Sequence, residues 1–158
     1  MMARALRVTT PAPTDIVLTR VFNAPRHLVF DTLTRPELLR RWFGARGWRL
    51  VECEVDLQIG GSWRFVSVGP GGLKMAQGGV YREVQAPERL AYTESYDDQW
   101  VPGESVVTAV LTEHAGLTTL NTTLRYSSQE VRDLVLATPM ERGVGESYDR
   151  LDEVFASR

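Results

Sequence analysis

Cysteine and histidine are scarce in this sequence, and their scarcity excludes several kinds of site. The 158 residues include one cysteine, Cys53, so no disulfide can form within the chain. The two histidines, His27 and His114, are far apart, and no Cys/His spacing is typical of a zinc site. The sequence therefore predicts no metal site and no cofactor. A single unpaired cysteine also favours a cytoplasmic protein.

Long apolar runs and an excess of basic residues are lacking as well. No segment approaches the roughly 20 apolar residues that a membrane-spanning helix needs, and residues 1–7 are not followed by the apolar stretch of a signal peptide. The net charge is −2 and no basic stripe is interleaved with aromatics, which argues against nucleic acid as a partner. With 43% hydrophobic and 24% charged residues, the composition predicts one globular domain spanning residues 1–158.

The N-terminal part of the pattern predicts one strand and two short helices. We expect residues 1–13 to form a loose leader and the β-branched, apolar residues 15–22 to form the first strand. A helix then begins near Pro25, where proline suits the first turn. A second helix begins at Thr34, which stands three residues before Glu37 in the arrangement of a capping box.

Strands joined by short turns are predicted between residues 51 and 126. In the first of them, Val51, Cys53, Val55 and Leu57 alternate with acidic residues and predict one apolar face. The glycine-rich residues 69–72 predict a hairpin turn rather than a phosphate loop, because no Lys-Ser/Thr pair follows them. Cys53 on an apolar face is expected to be inert packing rather than a nucleophile.

The C-terminal part predicts a helix after Ser128 and a long helix over residues 139–155, the latter opened by a capping box of Thr138 and Glu141. An antiparallel meander with one apolar face must be covered, and the long helix is the available cover. Its apolar stripe at helical spacing is Val144, Tyr148, Leu151 and Phe155. The expected fold class is therefore α+β: a curved antiparallel sheet of about six to seven strands that grips a long C-terminal helix.

Aromatic residues on the expected inner face are the candidate site. Most of them would also fit ordinary core packing, but tyrosine hydroxyls need partners when buried and suit a polar-lined pocket. In residues 89–96, period-two geometry places Glu94 on the same face as Leu90 and Tyr92, unless the strand ends early and Glu94 reaches solvent. The candidate ligand-binding residues are Trp63, Phe65, Tyr81, Tyr92, Glu94, Tyr126, Val144 and Tyr148.

Four aromatics lie outside this inner face. Trp42, Phe43 and Trp48 belong to the second helix and the loop after it, where they would gate a cavity or seal the sheet edge. Trp100 lies in a predicted loop, where an exposed aromatic would suit contact with a ligand or partner.

Several segments, in this order and spacing, resemble the START-like (SRPBCC) superfamily, whose fold is called helix-grip. The closest likeness is to the family of the activator of heat-shock protein 90 ATPase, in its small bacterial single-domain form. The likeness covers residues 15–155. The segments that carry it are residues 20–25, 34–37, 41–44, 60–63, 79–84 and 87–90, together with Asp56.

This resemblance implies a hollow between sheet and helix, and a link to stress responses, but no single activity. The sequence departs from the family pattern at two positions. Tryptophan is frequent in the family where Val144 stands, and an aromatic is frequent where Glu94 stands. Both positions are expected to face the interior, so the hollow of this protein would differ from that of its relatives.

Three functions remain open at this point. The leading one is a non-enzymatic module that holds a small apolar or amphipathic molecule in a cavity between sheet and helix. The second is a cyclase-like or hydrolase-like enzyme that uses the same cavity, with Glu94 or a tyrosine transferring protons. The third is a co-chaperone-type domain with a protein partner, the weakest of the three because the sequence lacks the activators' companion N-terminal domain.

Overall fold

A computed structural model of the protein describes residues 5–98 and 101–158. Its strands are β1 (Arg7–Thr9), β2 (Asp15–Phe22), β3 (Arg49–Val55), β4 (Ser62–Val68), β5 (Lys74–Gln85), β6 (Arg89–Tyr96), β7 (Ser105–His114) and β8 (Leu117–Arg125). Its helices are α1 (Arg26–Thr34), α2 (Pro36–Trp42), α3 (Gln129–Leu136) and α4 (Met140–Ala156). This is the predicted α+β, helix-grip fold.

The eight strands form one antiparallel sheet in the order β1-β2-β8-β7-β6-β5-β4-β3. The helices α1 and α2 connect β2 to β3, which lie near opposite ends of that order. The strand count exceeds the predicted six to seven because β1 pairs with β2, with Arg7 opposite Thr19. The prediction of a loose leader over residues 1–13 is therefore wrong for residues 7–9.

An irregularity in β3 overturns the predicted apolar face of that strand. The register with β4 shifts between Leu50 and Glu52, and such a bulge reverses the side of the residues around it. Leu50 is consequently buried whereas Val51 is 42% exposed. Cys53 is buried as predicted, but Leu57 lies beyond the end of the strand and is exposed.

Neither predicted threonine capping box forms. The helices α2 and α4 begin after Arg35 and Pro139, and neither has a side-chain cap. Thr34 Oγ1 instead donates to Phe30 O at 2.9 Å, and Thr138 Oγ1 donates to Val135 O at 2.6 Å. Each threonine therefore bonds to the end of the preceding helix, α1 or α3, because that helix ends shortly before the next one begins. Ser128 does cap α3 and accepts from Val131 N.

The C-terminal half of α4 packs tightly against the sheet. Leu151 is fully buried, and the ring of Phe22 meets those of Tyr148 and Phe155 edge-on at 5.4 and 5.7 Å between centroids. Arg20, on the same face of β2, is only 3% exposed. Its Nη2 donates to Asp149 at 2.8 Å and to Asp152 at 2.5 Å, which fixes α4 to β2.

The helix α4 is also fixed to the loop that follows α2. Arg150 Nη1 donates to Gly44 O at 2.9 Å and to Trp48 O at 3.2 Å, and Gly44 N donates to Ser147 Oγ at 3.0 Å. Polar residues beside the apolar stripe of α4 therefore hold the helix in place. Among the described residues, no helix is both long enough and apolar enough to cross a membrane.

Candidate functional site

An open cavity of about 770 Å³ lies between the inner face of the sheet and the N-terminal half of α4. Its walls are mostly apolar, and they include Leu18, Phe65, Val107, Ala109, Leu120 and Leu124 from the sheet and Met140, Val144 and Tyr148 from α4. Four residues that line it, Leu73, Lys74, Asp98 and Pro139, are exposed to solvent and mark its mouth. A volume of this size and an apolar lining are typical of small-molecule sites.

Small side chains on α4 keep this space empty. Gly143 and Gly145 flank Val144 in the first turns of the helix, and a Cβ added at either glycine would meet no atom within 4 Å. On the sheet, the facing positions include Val107 and Ala109. The N-terminal half of α4 thus presents Gly143 and Val144 to the cavity, and the larger Met140 and Tyr148, which also line it, do not fill it.

Glu94 faces this cavity from β6. Leu90, Tyr92, Glu94 and Tyr96 all line it, as the period-two geometry of a strand requires. Gln77 Nε2, from the neighbouring strand β5, donates to Glu94 Oε2 at 3.1 Å. Burial raises the pKa of the Glu94 carboxyl to about 7, and the hydrogen bond from Gln77 opposes that rise. The carboxyl therefore titrates near neutral pH.

Three tyrosines line the same cavity as Glu94. Burial raises the pKa of Tyr92, Tyr96 and Tyr126, and the negative charge of Glu94 raises each of them further. Their hydroxyls consequently stay protonated at neutral pH and can act as neutral hydrogen-bond donors. Glu94 and these tyrosines form a polar part of a mostly apolar cavity.

Trp63, Tyr81 and Tyr148 are three further candidate residues in the interior. Trp63 and Tyr81 are buried beside a recess of about 50 Å³ whose lining also includes Tyr92 and Glu94. Trp63 Nε1 donates to Thr93 O at 3.1 Å, so the indole is held within the core. Burial raises the pKa of Tyr148, which lies on the cavity wall opposite the sheet.

All eight candidate residues are thus brought together around one interior space. Phe65, Tyr92, Glu94, Tyr126, Val144 and Tyr148 line the main cavity, while Trp63 and Tyr81 line only the recess. Trp42 lies in both the core and the cavity wall, and Trp48 lines the cavity near its mouth. Trp100 lies outside the described residues. Ligand binding by any of these side chains stays a prediction.

Sequence reasoning missed Gln77, the hydrogen-bond partner of Glu94. The alternation of β5 could have indicated it, because every second residue before Tyr81, namely Gly79 and Gln77, lies on the same inner face. The glycine at 79 is required there: a Cβ would lie 1.9 Å from Thr93 O of the neighbouring strand. At Gly78 a Cβ would lie 2.7 Å from Trp63 O, so both glycines allow a close approach between neighbouring strands.

Cys53 is buried outside the cavity lining, and burial raises the pKa of its thiol to about 11, which suits packing rather than nucleophilic attack. Among the described residues, no cluster of three or more His, Cys, Asp or Glu side chains is arranged to hold a metal ion.

Comparison with known proteins identifies the family. A family model described as "Activator of Hsp90 ATPase homolog 1-like protein" matches residues 23–156. This chain belongs to that family. A comparison with curated proteins found no match.

Solved structures agree with the family. A protein from Rhodobacter sphaeroides is 32% identical, with a TM-score of 0.92 over 98% of this chain and 99% of that one. A protein from Nitrosomonas europaea is 27% identical, with a TM-score of 0.83 over 94% of this chain and 97% of that one. Its family and fold make this chain a ligand-binding or co-chaperone-like domain.

Proposed function

We propose that this protein is a non-enzymatic binding module whose cavity holds one small, largely apolar molecule. The observation that supports this proposal is the apolar space of about 770 Å³ under the N-terminal half of α4. Burial of apolar surface in such a space provides affinity, at roughly 25 cal/mol per Å². The protein would act as a single domain in the cytoplasm, the compartment that its lone cysteine favours.

The shape of the molecule supports a pre-formed site. The C-terminal half of α4 is held in place by Leu151, Phe155 and the ion pairs of Arg20. The N-terminal half, which covers the cavity, therefore does not depend on a ligand for its position. A pre-formed site binds with less cost in conformational entropy than one that must order itself. The ligand would enter between Leu73, Asp98 and Pro139 at the mouth.

Titration with Nile red, a neutral dye that fluoresces in apolar surroundings, tests the proposal. We expect saturable binding at one site per chain. Val144→Trp should weaken it at least tenfold, because the indole would occupy the cavity from the α4 side. Val110→Trp is the matched control, since Val110 is exposed and is not part of the cavity wall; it should bind as the wild type does. No saturable binding, or equal loss in both variants, would refute the proposal.

An enzyme of the cyclase or hydrolase kind is the second candidate. It is favoured by Glu94, whose carboxyl faces the cavity and has a pKa raised to about 7, a value suited to proton transfer. If a reaction occurs in the cavity, Glu94→Gln should abolish turnover while the affinity for Nile red stays unchanged. A bound molecule that is recovered chemically unaltered after prolonged incubation would favour the binding module.

A further inference from the structure

Glu94 faces the cavity without a countercharge. Within residues 5–98 and 101–158, no basic side chain forms an ion pair with Glu94, and its described hydrogen-bond partner is the neutral Gln77. Other buried charges of this protein are paired, as Arg20 is with Asp149 and Asp152. A carboxylate in apolar surroundings is costly unless it is paired. Lys74 also lines the cavity, but it is exposed at the mouth and forms no ion pair with Glu94, so the carboxyl itself lacks a countercharge.

The surroundings of Glu94 suit a cation. The aromatic side chains of Tyr92, Tyr96 and Tyr126 line the same cavity as Glu94, and Tyr92 and Tyr96 flank it on the inner face of β6. Aromatic faces attract organic cations by roughly 0.5–2 kcal/mol, more when the site is shielded from water. An anion would instead be repelled by Glu94, and a purely apolar molecule would leave the carboxylate without a partner.

We propose that the cavity selects a largely apolar molecule with one protonated amine, which donates to the Glu94 carboxylate and lies among Tyr92, Tyr96 and Tyr126. This inference rests on the proposed binding function and specifies the ligand class of the same cavity. The apolar body of the ligand would extend from Glu94 along Val107 and Leu124 towards α4. The amine would supply the countercharge that the Glu94 carboxyl lacks.

Competition against Nile red with three matched naphthalene derivatives tests this ligand class. Naphthylmethylamine is a cation, naphthylmethanol is its neutral counterpart and naphthoate is an anion, while the apolar body is shared. At about pH 8, where a carboxyl with a pKa near 7 is mostly ionised, we expect the amine to compete roughly tenfold better than the alcohol, a factor worth 1.4 kcal/mol. Naphthoate should compete least.

Two variants assign the preference to Glu94. Glu94→Gln keeps the shape and the hydrogen bond to Gln77 but removes the charge, so amine and alcohol should compete equally. Glu54→Gln removes an exposed carboxylate of β3 and is the matched control; it should keep the tenfold preference. Far-UV circular dichroism spectra that match the wild type show that both variants are folded.

The pH dependence gives an independent readout. The titratable groups that line the cavity around Glu94 come from β5, β6, the loop after β6, the segment after β8, and α4. They are Lys74, Tyr92, Tyr96, Asp98, Tyr126 and Tyr148. The four tyrosines keep their protons because burial raises the pKa of each. The amine's affinity should therefore rise between about pH 5.5 and 8 as Glu94 ionises, whereas the alcohol's affinity should stay level.

The outcomes separate the two proposals. Nile red binding together with equal competition by amine and alcohol would overturn the cation preference and leave the binding function intact. Tighter binding of the alcohol or of naphthoate would also overturn it, since Glu94 would then act as a neutral acid. Failure of Nile red and of all three competitors to bind would overturn both proposals.

Discussion

The two halves of α4 cover the same sheet but differ in how they meet it. The C-terminal half carries Tyr148, Leu151 and Phe155, whose side chains fill the space down to Phe22. The N-terminal half carries Gly143, Val144 and Gly145, and leaves a cavity of about 770 Å³. The C-terminal half of α4 thus anchors the helix to the sheet, whereas the N-terminal half forms one wall of the cavity. Stability is concentrated where the helix is packed, and binding is expected where it is not.

Truncation of one apolar residue in each half gives the largest expected contrast. Leu151→Ala should lower the free energy of unfolding by about 2–5 kcal/mol, because Leu151 is fully buried and its loss leaves a void. Val144→Ala should cost less than about 1 kcal/mol, since Val144 is half-buried beside existing empty space. Urea denaturation of both variants measures the difference. Equal losses of unfolding free energy would contradict the division of α4 into an anchoring half and a cavity-lining half.

The ion pairs of Arg20 are expected to matter nearly as much. Asp149→Asn with Asp152→Asn would leave the 3% exposed guanidinium of Arg20 without a countercharge, which should cost about 3 kcal/mol. Arg20→Met removes the buried charge itself, while Asp149 and Asp152 reach solvent. This variant should lose less than the double variant in the same urea experiment. A larger loss in Arg20→Met would show that the hydrogen bonds, rather than the buried charge, decide the effect.

A smaller effect is expected in the open half, from Glu94. Its pKa is about 7 in the folded protein and near 4.5 when unfolded, so the folded state holds the extra proton between these values. Stability from this group is therefore full below about pH 4.5 and is lost as the pH rises to about 7. Glu94→Gln should remove that decline. The rise of the pKa from 4.5 to about 7 is worth roughly 3 kcal/mol in full, and because Glu94 is partly exposed we expect the variant to exceed the wild type by about 2 kcal/mol at pH 8. Thermal unfolding across this range, with Glu54→Gln as control, measures it; parallel curves for wild type and Glu94→Gln would contradict the assignment.

Much of the closed half could be predicted from the sequence, because packing leaves a periodic signal. The stripe of Tyr148, Leu151 and Phe155 predicted the buried face of α4, and alternation along β6 placed Glu94 on the inner face. Local irregularities escaped prediction. The bulge that exposes Val51 depends on pairing with β4, and the addition of β1 depends on an edge of β2 that no local pattern reveals.

The residues of the candidate site could be predicted from the sequence pattern, but the cavity between them could not. Period two identifies which side chains point inward, yet it does not tell whether they meet or leave a space between them. That outcome depends on how far α4 lies from the sheet, and Gly143 and Val144 are the small residues of α4 that line the space between them. Gln77 was missed because a buried amide gives no apolar signal, although its register opposite Tyr96 places it beside Glu94.

The most direct test of the account is a map of ligand-induced methyl NMR shifts. Naphthylmethylamine added to saturation should shift the methyl signals of Val107, Leu124 and Val144, which line the cavity, while those of Leu151 stay in place. This result would locate binding under the N-terminal half of α4. Saturable shifts that include Leu151 as strongly as Val144, or that avoid the cavity residues altogether, would contradict the central claim that the two halves of α4 divide stability from binding.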